Sequence, residues 1–191
     1  MSGTLRIVLV RHGQPHIALS PITGHRGFAD YIGAYEAAGL DPASLPPREL
    51  LDLARELGAV FASDRARSHQ SARLLAAEKP FAIDPLFAEA PLASPPVPWL
   101  KLSVPSWAVI SRLLWHAGFA PGIENAAAAR QRARKAADML VARAAGVGSV
   151  ALVAHGYFNF MLGRELKKRG FTRQGSHRAR YWNTVIYERA G

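Results

Sequence analysis

The sequence predicts an α/β fold: a three-layer α/β/α arrangement with a mainly parallel central sheet and two insertions over the C-terminal ends of the strands. Three observations carry this reading. The runs Leu5-Arg6-Ile7-Val8-Leu9-Val10 and Ser149-Val150-Ala151-Leu152-Val153-Ala154 are almost continuously apolar and rich in β-branched residues, as in strands buried on both faces. Segments with helical periodicity alternate with these and shorter apolar runs, the order that builds parallel sheets. Both long runs also end alike, in Arg11-His12-Gly13 and in His155-Gly156.

In chain order, the segment from Met1 to Val10 reads as a central strand. Gln14–Leu45 breaks the rhythm with glycines and prolines and holds a short helix around Phe28–Ala38. Pro46-Pro47 opens a helix over Arg48–Leu57, and Gly58 stops it. Val60-Phe61-Ala62 is a short strand, Ala66–Ala77 a helix followed by Pro80, and Phe81-Ala82-Ile83 another short strand. Glu89–Gly122 is the second irregular segment, with six prolines from Pro91 to Pro121 and the tryptophans Trp99, Trp107 and Trp115. Within it Trp107, Ile110, Leu114 and Ala117 fit one face of a helix. The two irregular segments read either as a lid or, through the tryptophans of the second, as an outer core. An alanine-rich helix then runs over Glu124–Ala145 to Gly146, and another over Phe158–Arg169 to Gly170. Thr184-Val185-Ile186-Tyr187 is expected to form a last strand at an edge of the sheet.

At 191 residues the chain is expected to form a single domain over 1–191, long enough to bury a core without disulfide or metal staples. It has no cysteine, which excludes disulfide frameworks, thiolate metal sites and cysteine nucleophiles. No apolar run approaches the ~20 residues that span a bilayer. The N-terminus lacks the basic region of a signal peptide, so a cytoplasmic protein is expected. The net charge of +10 favours anionic partners. Arginine outnumbers lysine, which suits forked binding of phosphate but also fits a compositional bias.

In an open α/β sheet, ligands bind beyond the carboxyl ends of the strands. If the two long strands are neighbours, His12 and His155 share one site. A third polar cluster, Ser63-Asp64-Arg65-Ala66-Arg67-Ser68-His69-Gln70-Ser71-Ala72, follows a short strand and opens a helix, whose N-terminus favours anions. A guanidinium there can fork onto phosphate oxygens, although Arg65 and Arg67 also read as solvated surface charges.

This ordered set resembles the histidine phosphatase superfamily, also called the phosphoglycerate mutase-like family. The carrying residues are Leu9-Val10-Arg11-His12-Gly13-Gln14, Arg67-Ser68-His69-Gln70-Ser71-Ala72 in register with the family's Arg-Ala-x-Gln-Thr-Ala, and His155-Gly156. Pro121-Gly122-Ile123-Glu124 and Asn183-Thr184-Val185 resemble two further family segments. The resemblance covers the core of the chain but not its two insertions. It implies metal-independent hydrolysis of a phosphomonoester through a phosphohistidine on His12, with no cofactor. Arg11, Arg67 and His155 would surround the phosphoryl oxygens, and Gly13, Gln14 and Gly156 would line the substrate site.

The resemblance also implies a carboxylic acid that protonates the leaving oxygen. Glu89 in Asp84-Pro85-Leu86-Phe87-Ala88-Glu89 matches, with Asp84 in reserve, although the family's downstream glycine and second glutamate are replaced by Ala90-Pro91-Leu92-Ala93-Ser94. Ala18 stands where the family's mutases carry an asparagine, which favours a phosphatase. Mutase-type phosphoryl transfer, and a weakly active or inactive phosphate-binding module, stay open as alternatives. The expected partner is a phosphorylated small molecule. The basic stretch Arg164 to Arg180, followed by Tyr181 and Trp182, reads as a nucleic-acid patch, a rim for anionic substrates or a solvated face, and the last is preferred. Neither nucleic acid nor membrane is expected as a partner. His12 and His16 lack carboxylate companions for a metal site, and the oligomeric state is open.

Overall fold

The computed structural model describes residues 3–18 and 22–191, so the first expected strand and the first insertion fall partly outside the described residues. The strands are β1 (Thr4–Arg11), β2 (Ala59–Ala62), β3 (Phe81–Ile83), β4 (Ser149–Ala154), β5 (Thr172–Gln174) and β6 (Thr184–Ala190). They form one sheet in the order β3-β2-β4-β1-β6-β5. The pairs β2–β3, β2–β4 and β1–β4 are parallel, while β6 pairs antiparallel with both β1 and β5. The long runs are therefore neighbours. Arg11 lies opposite Ala154, and the His12 N–H continues the ladder onto the Ala154 carbonyl at 2.9 Å.

Side-chain alternation along the central strands separates two cores. Ile7, Leu9, Val150, Leu152 and Ala154 face one layer, while Val8, Val10, Ala151 and Val153 face the other. Helices α5 (Ala126–Val147) and α6 (Gly156–Lys168) cover the first face, with Leu140, Phe158, Leu162 and Leu166 fully buried. Helices α2 (Arg48–Arg55) and α3 (Ala66–Ala76) cover the second with Leu50, Ala54, Ala72 and Leu75. Each large apolar side chain buried in this way contributes ~1.5–3 kcal/mol. The alanine stripe Ala129, Ala133, Ala136 and Ala137 lets α5 lie close to the sheet.

Several boundaries differ from expectation for identifiable reasons. Asn125 is the N-cap of α5, its side-chain oxygen accepting from the N–H groups of Ala127 and Ala128. Gly146 lies inside that helix, and Gly148 ends it in the left-handed region with φ 79°. The strand β6 is interior rather than at an edge. Its outer neighbour β5 is exposed at all three residues, so no apolar alternation marks it. Helix α6 begins at Gly156, directly after His155, rather than at Phe158.

The two insertions contribute α1 (His25–Ala37) and α4 (Val104–His116), which pack on each other through Phe28, Val104 and Trp107. Thr23 and Leu102 form a β-bridge, and the Trp107 indole donates to the Thr23 carbonyl at 2.8 Å. The buried stripe of α4 is Val104, Trp107, Ser111 and Trp115 rather than Trp107, Ile110, Leu114 and Ala117. Trp107 and Trp115 thus pack an outer core, while Trp99 is 83% exposed. No helix among the described residues is long and apolar enough to cross a membrane.

Candidate active site

The end of β1 delivers His12 into the interior, where it is 1% exposed. Its Nδ1 lies 2.7 Å from the Gly13 carbonyl. A carbonyl only accepts, so Nδ1 carries the proton and Nε2 is left with its lone pair. Burial, then the Arg67 charge, push the His12 pKa down to about 3; Arg11 adds to this, and the Gly13 carbonyl opposes it. The ring is therefore neutral at ordinary pH. Arg67 Nε donates to Nε2 at 3.3 Å, and the Tyr35 hydroxyl stands 3.5 Å from the same atom.

Glycine at position 13 is required by packing. A Cβ there would stand 2.6 Å from Leu40 Cδ1 and from the Trp182 ring. Trp182 adopts φ 57°, its indole donating to Ser44 Oγ and its N–H to the His12 carbonyl. The Gly13 N–H donates to Ser71 Oγ at 2.9 Å. Gln14 is exposed, and its main chain bonds with Asp41 and Ser44 rather than with the histidines.

Arg67, in the first turn of α3, is completely buried. Its Nη1 donates to the Tyr35 carbonyl at 2.7 Å, and its Nη2 faces Glu36 Oε1 at 3.3 Å and His155 Nδ1 at 3.5 Å. Glu36 also pairs with Arg65 at 2.8 Å. A buried guanidinium without such partners would be strongly destabilising, so α1 supplies what Arg67 needs to sit in the core.

His155 leaves β4 beside His12, with ring centroids 5.2 Å apart. Its Nε2 lies 2.8 Å from Ser63 Oγ, which in turn donates to Asp64. The serine therefore accepts from Nε2–H, and the bare Nδ1 faces Arg67. Burial, then the neighbouring His12 and arginines, hold the His155 pKa well below its usual value. Arg11 lies over the Tyr181 ring at 4.7 Å and donates through Nη1 to the Ala179 carbonyl. Its Nε is buried without a partner, and a Cβ on Gly156 would touch its side chain at 3.5 Å.

Glu89 sits at the N-terminus of α6. Its carboxylate accepts from the N–H groups of Ala90, Tyr157 and Phe158, the last at 2.8 Å. Burial pushes its pKa up, against the pull of Arg112 and those three N–H groups. Arg112 is pinned on the carbonyls of Ala90 and Pro91 and stacked on Tyr157. Asp84 accepts from the Leu86 N–H and so caps the short 3₁₀ turn Pro85–Phe87.

The structure thus brings His12, Arg67 and His155 into direct contact, sets Arg11 and Gly156 against each other beside them, and places Glu89 behind the first turn of α6. Sequence reasoning missed Tyr31, Tyr35, Glu36 and Tyr181. Tyr31 and Tyr35 are four apart in a segment already read as helical, which puts both rings on one face; that spacing was the available signal. A groove of about 360 Å³ lined by Leu40, Pro42, Leu45, His69, Gln70, Arg73 and Leu74 includes none of the site residues predicted from sequence.

The sequence profile of the histidine phosphatase superfamily (branch 1) matches residues 7–188. Similar solved structures include a mycobacterial glucosyl-3-phosphoglycerate phosphatase complexed with VO3, at 22% identity and TM-score 0.60, covering 95% of this chain and 90% of that one. The product of an open reading frame of Mycobacterium tuberculosis is 19% identical with TM-score 0.59, covering 97% and 95%. Phosphoserine phosphatase from Entamoeba histolytica, complexed with 3-phosphoglyceric acid, is 14% identical with TM-score 0.57, covering 95% and 89%. At these identities the structures show a shared fold. No curated protein gives a significant sequence match. The profile match spans nearly the whole chain, and the chain belongs to the histidine phosphatase superfamily.

Proposed function

We propose that this member of the histidine phosphatase superfamily hydrolyses phosphomonoesters of small molecules through a phosphohistidine on His12. The observation that carries the reading is the state of His12: neutral, proton held on Nδ1 by the Gly13 carbonyl, and Nε2 bare beside a buried arginine. Nε2 attacks phosphorus, the bond to the leaving oxygen breaks, and water then cleaves the N–P bond to release inorganic phosphate. This replaces one difficult displacement with two easier ones.

Arg67 and Arg11 hold the phosphoryl oxygens and offset their charge in a water-poor site. The unpartnered Nε of Arg11 supports this, since a buried donor without an acceptor suits an incoming anion. His155 turns its bare Nδ1 to the same space. A bound phosphoryl dianion would draw a proton onto that nitrogen and make it a further donor. Gly156 lets Arg11 lie close against the start of α6, and Gly13 fixes the His12 loop. Gln14 is the weakest of the sequence-derived substrate residues, because its main chain turns away to Asp41 and Ser44.

Glu89 is proposed as the acid that protonates the leaving oxygen. Its raised pKa supports this, and Asp84 is committed to capping its own turn. The phosphatase names of the similar structures agree with hydrolysis of small phosphomonoesters. The test is hydrolysis of p-nitrophenyl phosphate between pH 4 and 8 with EDTA present. Wild type is expected to turn over, and His12→Ala to lose at least about a thousandfold while staying folded. Undiminished turnover by His12→Ala would remove the mechanism. An inactive wild type that still binds phosphate would point to a binding module.

A further inference from the structure

We propose that the Tyr35 hydroxyl is a catalytic hydrogen-bond donor to the transferring phosphoryl group, so that the inserted helix α1 completes the phosphate seat as well as covering it. The inference rests on the phosphohistidine reading above.

The geometry around His12 Nε2 carries it. A phosphorus poised for attack stands about 3–3.5 Å from the nucleophile. Its three non-leaving oxygens then spread around the line of attack. Two groups stand beside Nε2 at that range: Arg67 Nε at 3.3 Å and the Tyr35 hydroxyl at 3.5 Å. They arrive as a stacked pair, with the guanidinium carbon 4.5 Å above the Tyr35 ring. A donor at that distance comes within hydrogen-bond reach of an equatorial oxygen, about 2.6–3.2 Å. A phenol has one proton to give and no charge to be desolvated.

The hydroxyl is not placed by a loose side chain. The Tyr35 carbonyl accepts from Arg67 Nη1 at 2.7 Å, and the next residue, Glu36, pairs with both Arg67 and Arg65. Tyr31, one turn earlier, packs on Tyr35 with ring centroids 5.7 Å apart. Arg67 and Tyr35 thus hold each other in place, through the Tyr35 carbonyl and through ring stacking. The two donors form one unit, although one comes from α3 and the other from an insertion.

A tyrosine that merely keeps water out needs its ring and not its oxygen. Tyr35→Phe keeps the ring under Arg67 and removes the donor, whereas Tyr35→Leu removes both. In Tyr35→Phe, kcat on p-nitrophenyl phosphate is expected to fall about 10–100-fold, with KM within about threefold. Inhibition by vanadate, which imitates the five-coordinate phosphorus, should weaken in proportion to kcat/KM, and inhibition by inorganic phosphate should weaken less. Circular dichroism melts check that each variant folds.

Wild-type kcat and vanadate inhibition in Tyr35→Phe would overturn the proposal, whatever Tyr35→Leu does. His12→Ala, measured alongside, separates the two readings. If it retains wild-type turnover, the phosphohistidine reading falls and this inference with it. If it is inactive while Tyr35→Phe is unimpaired, only the role of Tyr35 falls.

Discussion

His12 and His155 project from adjacent parallel strands whose register is fixed by ladder hydrogen bonds, so neither can move without breaking the centre of the sheet. Tyr35 and Glu36 reach the same region from α1, held by side-chain contacts, and Glu89 stands behind the first turn of α6, held by that helix end. The strand-end side is buried and set by backbone. The insertion side is only partly buried and set by side chains. Rigid strand ends are suited to chemistry that every substrate shares, and variable loops to what differs between leaving groups. Arg67 is where the two sides meet, because it touches both histidines and is held by α1.

Removing Arg67 should therefore break the site most severely after loss of His12, the proposed nucleophile. Arg67→Ala is expected to lower kcat/KM about 10²–10³-fold, as for other preorganised donors. Arg67→Lys should recover little of this. A single ammonium cannot reach His12, His155, Tyr35 and Glu36 as the planar fork does. Steady-state kinetics on p-nitrophenyl phosphate check both variants. A lysine variant within a few-fold of wild type would mean that charge alone matters there and that the coupling to α1 is incidental.

Glu89 gives a smaller effect that depends on the substrate. If its carboxyl protonates the leaving oxygen, Glu89→Gln should slow alkyl phosphates by about a hundredfold and p-nitrophenyl phosphate by much less, since a good leaving group needs no proton. If it only caps α6, both substrates should suffer alike and thermal stability should drop, because the N–H groups of Tyr157 and Phe158 would lose a charged acceptor. Equal losses on the two substrates would sink its role as acid.

The same division governs what could be read from sequence. Apolar β-branched runs identify buried strands, and residues at their ends are placed by the fold class itself. His12 and His155 were legible for that reason, and Arg67 because its segment follows a short strand. Tyr35 and Glu36 were not: the spacing of Tyr31 and Tyr35 pairs their rings on one helix face, but nothing local tells a helix in an insertion which strand end it will meet. The buried stripe of α4 is shifted from the expected one, because that helix carries apolar residues on nearly every side and leaves Val109 and Leu113 exposed. β5 was invisible for the opposite reason: Thr172, Arg173 and Gln174 are polar and exposed, and only pairing with β6 makes them a strand.

The finest expected difference between the two sides is in how they respond to pH. His12 has a folded pKa of about 3 against 6.5 unfolded. Between those values the unfolded chain binds the proton and the folded chain does not, so acidification through that window favours unfolding. His155 acts in the same direction. Glu89 has a raised folded pKa, so the folded chain keeps its proton longer, and stability is lost as pH rises through the range above 4.5. Above pH 4.5, where Glu89 begins to lose its proton, the two sides oppose each other, and the wild-type slope there is their difference. His12→Asn should therefore flatten the rise of melting temperature with pH, and Glu89→Gln should steepen it. Melts followed by circular dichroism at half-unit steps resolve both changes. Three parallel curves would mean that the two sides of the site do not differ in the way that their burial and partners require.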